Sequence, residues 1–374
     1  MKILMTGGGT GGHVYPAIAI AETLKAKFPD VEIAFVGTSK GIENKICRSA
    51  GYPIYHIKAQ GIKRSLSPSN IKALLIAKFY PYKTRKLIRE FAPDIVIGTG
   101  GYVCWSPCMA AVMEGVPTIL HESNVYPGLT VRKLQKKVDK ILLNFADSAK
   151  YLSPEISDRL ITVGNPIRMG FSVTKPEDAR ALLGISEGKK MLLSYGGSRG
   201  AGRINEIMID FMKRFAPANP NVIHVHATGD IGADTFMKRF AEEGLDKLEN
   251  IRVCRYIEDM PIKMAAADVV ICRAGAMTVS EIALMGKTAI FIPSPNVADN
   301  HQYKNAKLLS DNGAAMLIEE KDLTPEGLDD SVTKLLSNDS ERRSMAQRAG
   351  DFYNPNANKQ IYDEIIRIIN QRMK

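Results

Sequence analysis

Short apolar runs alternate with helical patterns along the whole chain. Residues 3–5, 31–36, 95–97, 118–120, 191–194, 222–225, 269–271 and 289–292 read as strands. They are short, apolar on both sides and separated by helix-length segments, which predicts parallel strands buried on both faces. The segment 17–24 reads as the first helix, and the last amphipathic helix runs from about Asn358 to Met373. Glycine and proline end one pattern at Gly164, Asn165, Pro166, Ile167 and Arg168. A second strand–glycine–helix unit then opens at 194–201, as the chain opened at 3–24. Two doubly wound α/β domains facing each other across a cleft are predicted, with ligands beyond the carboxyl ends of the strands.

The richest segment is 5–16, MTGGGTGGHVYP, between the first strand and the first helix. Its glycines let backbone amides approach a ligand, and a helix N-terminus favours anions. His13 stands at the tip, where a ring nitrogen could take a proton from a substrate hydroxyl; a purely structural histidine fits the spacing as well. Gly7, Gly9 and Gly12 match G-x-G-x-x-G. A nicotinamide or flavin enzyme would also want an acid at the end of the second strand, and Glu32 comes too early. Gly7 and Gly12 match a P-loop, but His13 and Val14 replace its lysine and hydroxyl residue, so an ATPase is rejected.

Four more loops follow strands with residues that a packed core would not demand. They are Gly98 to Tyr102, including Thr99, Gly100 and Gly101; His121-Glu122-Ser123-Asn124; Gly196 to Ala201, including Ser198; and Arg273 to Glu281. In the last, Gly275 and Thr278 would open a helix toward a diphosphate, and Glu281 could accept from both hydroxyls of a ribose. Thr278 followed three residues on by Glu281 also fits a capping box. Asp299-Asn300-His301-Gln302 supplies side chains able to read sugar hydroxyls, or a polar loop ahead of a helix. No D-x-D triplet occurs, so helix N-termini and basic groups would stabilise a leaving diphosphate, and neither metal nor cofactor is expected.

The 374 residues and 45% hydrophobic content suit two domains with their own cores. No run of ~18 apolar residues suggests a membrane span, and the start shows no secretory signal pattern. The five scattered cysteines read as reduced thiols in a cytoplasmic protein. Residues 1–165 hold 22 basic and 12 acidic side chains, against 28 and 28 in the remainder. The whole net charge of +10 therefore sits in the N-terminal half, which implies an anionic partner there. Residues 63–90 contain Lys63, Arg64, Lys72, Lys78, Lys83, Arg85, Lys86 and Arg89, with Glu90 as the one acid. Leu66, Ile71, Leu74, Leu75, Ile76, Phe79, Tyr80 and Tyr82 are interleaved. This mixture suits an anionic membrane surface; a surface helix with its apolar stripe turned inward is the other reading. Arg132, Lys133, Lys136, Lys137 and Lys140 add a second basic face. No nucleic-acid module is visible.

The segments GGGTGGHVYPAIAIA, GTGGYV, HESNVYPGLT, GNPIR, GGSRGA, CRAGAMTVSEIA and DNHQYKNA closely resemble, in order, the MurG family of bacterial N-acetylglucosaminyltransferases. The resemblance implies a GT-B fold with an acceptor and membrane-associated domain at 1–164, a UDP-sugar domain at 165–350 and a helix at 351–374 returning to the first domain. It implies transfer of N-acetylglucosamine, with inversion, from UDP-N-acetylglucosamine to the muramoyl 4-hydroxyl of lipid I, giving lipid II for peptidoglycan. His13 would be the base. Thr10, Gly11 and Gly12, with Gly100, Gly101 and Tyr102, would face the acceptor and its diphosphate. Asn124, Arg168, Ser198, Ile257 (through its backbone), Thr278, Glu281 and Gln302 would bind the donor. Some members carry Gln-Gln where this chain has His301-Gln302. Lys72, Leu75, Lys78, Phe79, Tyr82 and Lys83 would form the membrane patch of a peripheral protein on the cytoplasmic face of the plasma membrane. The implied partners are the donor, lipid I, the anionic membrane and other cell-wall synthesis proteins. A UDP-N-acetylglucosamine 2-epimerase, a transferase with another acceptor, or a non-catalytic UDP-sugar scaffold would keep much of the same pattern.

Overall fold

A computed structural model describes residues 1–62, 68–168, 174–197 and 199–372. Lys63, Arg64, Leu66, Ser198 and Met373 lie outside the described residues. The chain forms two compact units, 1–168 with 354–374, and 169–353. The first thus includes Gly164 to Arg168, where the sequence pattern breaks, together with the last helix.

Unit 1 contains β1 (Lys2–Thr6), α1 (Gly11–Lys27), β2 (Glu32–Thr38), α2 (Glu43–Ser49), β3 (Ile54–Ile57), α3 (Pro68–Phe91), β4 (Ile95–Gly98), α4 (Trp105–Met113), β5 (Thr118–Glu122), α5 (Leu129–Leu134), β6 (Lys140–Leu143) and β7 (Leu160–Thr162). All pairings are parallel, in the order β3-β2-β1-β4-β5-β6-β7. Alternation along β1 divides the core. Ile3 and Met5 pack against α1 on one face, while Leu4 joins the cluster with Cys104 and Cys108 of the α4 segment on the other.

Unit 2 contains α6 (Pro176–Leu182), β8 (Lys190–Tyr195), α7 (Gly202–Ala218), β9 (Val222–Ala227), α8 (Ala233–Glu242), β10 (Ile251–Cys254), α9 (Met260–Ala266), β11 (Val269–Cys272), α10 (Ala276–Leu284), β12 (Thr288–Phe291), α11 (His301–Asp311), β13 (Met316–Leu317), α12 (Pro325–Ser337) and α13 (Asp339–Gly350). Its parallel sheet runs β10-β9-β8-β11-β12-β13. On one face Leu192, Ile204, Phe211 and Val332 form a single cluster. The last helix, α14 (Ala357–Arg372), packs on α1 of unit 1 through Ile361, Ile365, Ile368 and Ile369.

Two helices depart from the sequence expectation. First, α1 begins at Gly11 rather than near residue 17. Thr10 is extended, and its carbonyl accepts from His13 and Val14, so His13 lies in the first helical turn and not at a loop tip. Second, α3 has Pro81 in its interior. Proline lacks the N–H that would bond four residues back, which leaves the Ala77 carbonyl without its helical donor. The indole N–H of Trp105 donates to that carbonyl at 2.7 Å. Arg85 and Arg89 both bond Glu114, and Thr84 bonds Ser106 at 2.8 Å. These contacts fix which face of α3 turns inward: Ala73, Pro81, Thr84 and Ile88 are buried. Ile71, Leu74, Leu75, Phe79 and Tyr82 consequently face solvent, at 52–65% exposure. The apolar stripe therefore does not face the core.

Candidate active site

In unit 1 the strand order reverses between β1 and β4, the position where open α/β sheets bind ligands. The loops of both strands meet there. Thr99 Oγ1 donates to the His13 carbonyl at 2.6 Å, and Gly8 N–H to the Gly100 carbonyl at 3.4 Å. The His13 ring lies on the backbone of Gly100 and Gly101. A Cβ on Gly100 would stand 2.8 Å from His13 Cδ2, and one on Gly101 3.1 Å from Nδ1. Both glycines also have φ near +100° and +80°, so this cradle excludes side chains twice over. His13 Nδ1 is 3.1 Å from the Thr10 hydroxyl. Thr10 precedes α1 without capping it, so the first-turn amides of Gly11 and Gly12 are not satisfied by that hydroxyl. Tyr102 is partly exposed, its ring edge against Gly9.

The loop after β5 is organised from beneath by Glu122. Its Oε1 accepts from Asn124 N (2.9 Å) and Nδ2 (3.1 Å), and its Oε2 from Gly128 N (2.7 Å). Burial raises the Glu122 pKa, and these donors oppose the rise. Asn124 is itself buried at 8% exposure. His121 is fully buried, bonds the Gly164 carbonyl at 2.9 Å, and burial lowers its pKa to about 4. Thr130 Oγ1 donates to the Gly101 carbonyl at 3.0 Å, which ties α5 to the β4 loop. Arg168 is exposed, with its guanidinium 4.5 Å above the Tyr15 ring.

One residue of this site escaped sequence reasoning. The acid sought at the end of β2 exists, but α2 supplies it. Glu43 reaches back so that Oε1 accepts from Thr38 N (2.9 Å) and Oγ1 (2.8 Å), and Oε2 from Gly9 N (3.3 Å). A dinucleotide fold would offer such a carboxylate to a ribose. Here both oxygens are already filled by protein donors. The only signal in sequence was an acid early in the helix after β2.

In unit 2 the order reverses between β8 and β11, and residues 196–197, 199–201 and 273–275, which follow those strands, flank that point. Gly200 N–H bonds the Gly197 carbonyl at 2.9 Å, and Ile231 N–H the Arg199 carbonyl at 2.9 Å. The N-cap of α10 is Gly275, in extended geometry and with no side-chain cap. Thr278 is thus the third helical residue, and the capping-box reading of Thr278 and Glu281 does not hold. Glu281 is half-buried, and its charge helps raise the pKa of Tyr195 and Cys272, the paired last residues of β8 and β11. Ile257, after β10, is buried at 4% exposure. Gln302 Oε1 accepts from Ser294 N at 2.8 Å, and His301 Nδ1 lies 2.8 Å from the Ala298 carbonyl. Arg273 is taken up by the Ile292 carbonyl and Glu320.

Residues 3–143 match the glycosyltransferase family 28 N-terminal domain, and residues 191–363 the family's C-terminal domain. A Clostridioides difficile (strain 630) protein named UDP-N-acetylglucosamine--N-acetylmuramyl-(pentapeptide) pyrophosphoryl-undecaprenol N-acetylglucosamine transferase is 41% identical over 374 residues, covering 100% of this chain and 90% of its own. The crystal structure of Acinetobacter baumannii MurG superposes with a TM-score of 0.75 at 30% identity, over 98% of this chain and 99% of that one. A UDP-GlcNAc 2-epimerase from Neisseria meningitidis, bound to UDP-GlcNAc, reaches a TM-score of 0.67 over 98% and 100% at 15% identity, which shows the shared fold alone. The fold is GT-B, and the chain belongs to the MurG family of N-acetylglucosaminyltransferases within glycosyltransferase family 28.

Proposed function

We propose a division of labour between the two units of this transferase. The enzyme moves N-acetylglucosamine from UDP-N-acetylglucosamine to lipid I, undecaprenyl-diphosphate-linked N-acetylmuramoyl-pentapeptide, and forms lipid II. Unit 1 takes the acceptor and unit 2 the donor. His13 is the general base. With its Nδ1 hydrogen donated to Thr10, its Nε2 lone pair takes the proton of the muramoyl 4-hydroxyl. That oxygen attacks the anomeric carbon, the bond to UDP breaks, and the configuration inverts to a β-1,4 link. The first-turn amides at Gly11 and Gly12 meet the acceptor diphosphate, beside Gly100, Gly101 and Tyr102. Asn124 contacts the transferred sugar.

On the donor side, the uncapped start of α10 with Thr278, the loop of Ser198, and Arg168 stabilise the departing diphosphate. The Ile257 backbone reads uracil, Glu281 accepts from the ribose hydroxyls, and Gln302 reads sugar hydroxyls. The outward stripe of Leu75, Phe79 and Tyr82, flanked by exposed Lys72, Lys78 and Lys83, supports peripheral attachment to an anionic membrane on the cytoplasmic side. Among the described residues no helix is long and apolar enough to cross a membrane.

The observation that carries the base assignment is the cradle in which two glycines of one loop receive the His13 ring of another. The deciding experiment incubates the protein and its His13→Ala variant with labelled UDP-N-acetylglucosamine and a lipid I analogue. We expect transfer by the wild type and a loss of about 10²–10⁴-fold in the variant, with UDP binding intact. Turnover by the variant at the wild-type rate removes His13 as the base. Formation of a new nucleotide sugar without lipid would point to the epimerase chemistry of the shared fold.

A further inference from the structure

Glu43 is a carboxylate at 1% exposure with no part in the chemistry above. Three glycines from three segments close around it. A Cβ on Gly41 would fall 2.0 Å from its Oε1, one on Gly37 2.6 Å from its Cγ, and one on Gly8 3.0 Å from its Cδ. A buried carboxyl group needs hydrogen-bond partners, and these come from two segments: Thr38, the last residue of β2, and Gly9 in the loop after β1. On its other side Gly9 meets Tyr102 of the β4 loop, where an added Cβ would stand 2.7 Å from the ring. Burial raises the Tyr102 pKa, the Glu43 side chain adds to the rise and the Thr38 side chain opposes it. Glu43 so ties the end of β2 to the Gly9 corner of the first glycine loop, and Tyr102 of the β4 loop packs on that corner. Thr10 and His13 follow directly from that corner.

We propose that Glu43 is a positioning residue for transfer: its carboxylate, bonded on one oxygen to Thr38 and on the other to Gly9, holds the first glycine loop where Thr10 and His13 are needed. The proposal rests on placing the acceptor at that loop. A neutral residue of the same size cannot do this. In Glu43→Gln the amide nitrogen presents hydrogens to either the Gly9 or the Thr38 N–H, so one anchor is lost whichever way the group turns.

The test measures hydrogen–deuterium exchange of the peptide containing Gly9 and steady-state kinetics with a lipid I analogue, for wild type, Glu43→Gln and His13→Ala. In Glu43→Gln we expect faster exchange at Gly9 and a kcat/KM for the acceptor lower by about a hundredfold, the scale of a small misplacement of reacting groups. UDP binding should stay at its wild-type value, and the melting temperature should fall only by the few degrees that one lost buried hydrogen bond costs, which a general packing defect would exceed. Wild-type exchange in Glu43→Gln overturns the anchor. Faster exchange with unchanged acceptor kinetics, while His13→Ala is inactive, overturns the positioning role. Full turnover by His13→Ala removes the transfer site from this loop and the positioning role with it, while the exchange result still decides whether Glu43 holds the loop.

Discussion

The two glycine-rich turns, after β1 and after β8, occupy the same place in two similar sheets and are supported in opposite ways. Beneath the first lies a side-chain strut, Glu43, and across it the cradle for His13. The second, among its described residues, is held by close backbone packing, Gly200 lying so tightly on the next loop that a Cβ would meet the Thr228 carbonyl at 2.2 Å. Below it, in the sheet, sits a polar cluster without charge: Ser194 Oγ lies 2.7 Å from His224 Nε2 and 2.8 Å from His226 Nδ1. Burial drives the pKa of His226 down to about 3 and that of His224 well below its usual value. On the proposed division of labour, the loop that presents the reacting group is tied to its neighbours by polar anchors, while the described part of the loop that admits a diphosphate is shaped by close backbone packing.

The largest effect that separates the units is acid sensitivity. An imidazole whose pKa is depressed by folding binds its proton more readily in the unfolded chain. Stability is therefore complete above pH 6.5 and falls as the pH drops toward the folded value, by about 1.4 kcal/mol per pH unit and imidazole. Unit 2 has two such groups, His224 and His226, and unit 1 has His121 with a folded value of about 4. In unit 1 Glu22 and Glu122 act in the opposite direction, since burial raises both. Between pH 6.5 and 4.5 unit 2 should lose more stability than unit 1. Trp105, the chain's one tryptophan, sits in unit 1, so its fluorescence follows that unit while far-ultraviolet circular dichroism follows both. Denaturant midpoints at the two pH values should diverge between the probes, with fluorescence moving less. Midpoints that move together contradict the asymmetry.

The donor side supplies a smaller effect. Glu281→Ala should weaken UDP-N-acetylglucosamine binding by about 1–3 kcal/mol, the scale of a lost buried hydrogen-bonding partner. Calorimetry reads it directly, and unchanged affinity removes Glu281 from the ribose. A deficit confined to acceptor kinetics would reverse the division between the units.

Much of this was legible in the sequence because strands buried on both faces must be apolar throughout, and because glycine clusters after strands mark the loops of the sheet edge. The strands at 3–5, 95–97, 191–194 and 269–271 were found for that reason. What stayed hidden required knowledge of direction or of helix ends. Thr278 and Glu281 have capping-box spacing, and only the start of α10 at Gly275 rules the box out. Glu43 was missed because its carboxylate reaches back from α2 to the end of β2 and to Gly9, 34 residues away. The period of α3 reveals an apolar stripe without saying which way it faces. That is settled by Pro81 and Trp105, 24 residues apart in sequence, through the Ala77 carbonyl.

The smallest effect concerns that stripe, and it tests whether the charge asymmetry between the units has a physical use. A lysine near an anionic bilayer contributes about 1 kcal/mol of attraction, and the contribution falls off within a Debye length. Lys78 is exposed beside Phe79, with its ammonium 5.6 Å from that ring. Lys78→Ala should therefore weaken binding to vesicles containing phosphatidylglycerol by about 1 kcal/mol in low salt and by less as salt is raised. It should leave UDP binding by unit 2 unchanged. Lys334→Ala, an exposed lysine of unit 2 paired with Glu341, is the matched control and should not move vesicle binding at all. Equal losses from the two substitutions would mean that attachment follows overall charge. A loss from Lys78→Ala alone, removed by salt, places the contact on the face of α3 that Trp105 and Pro81 turn outward.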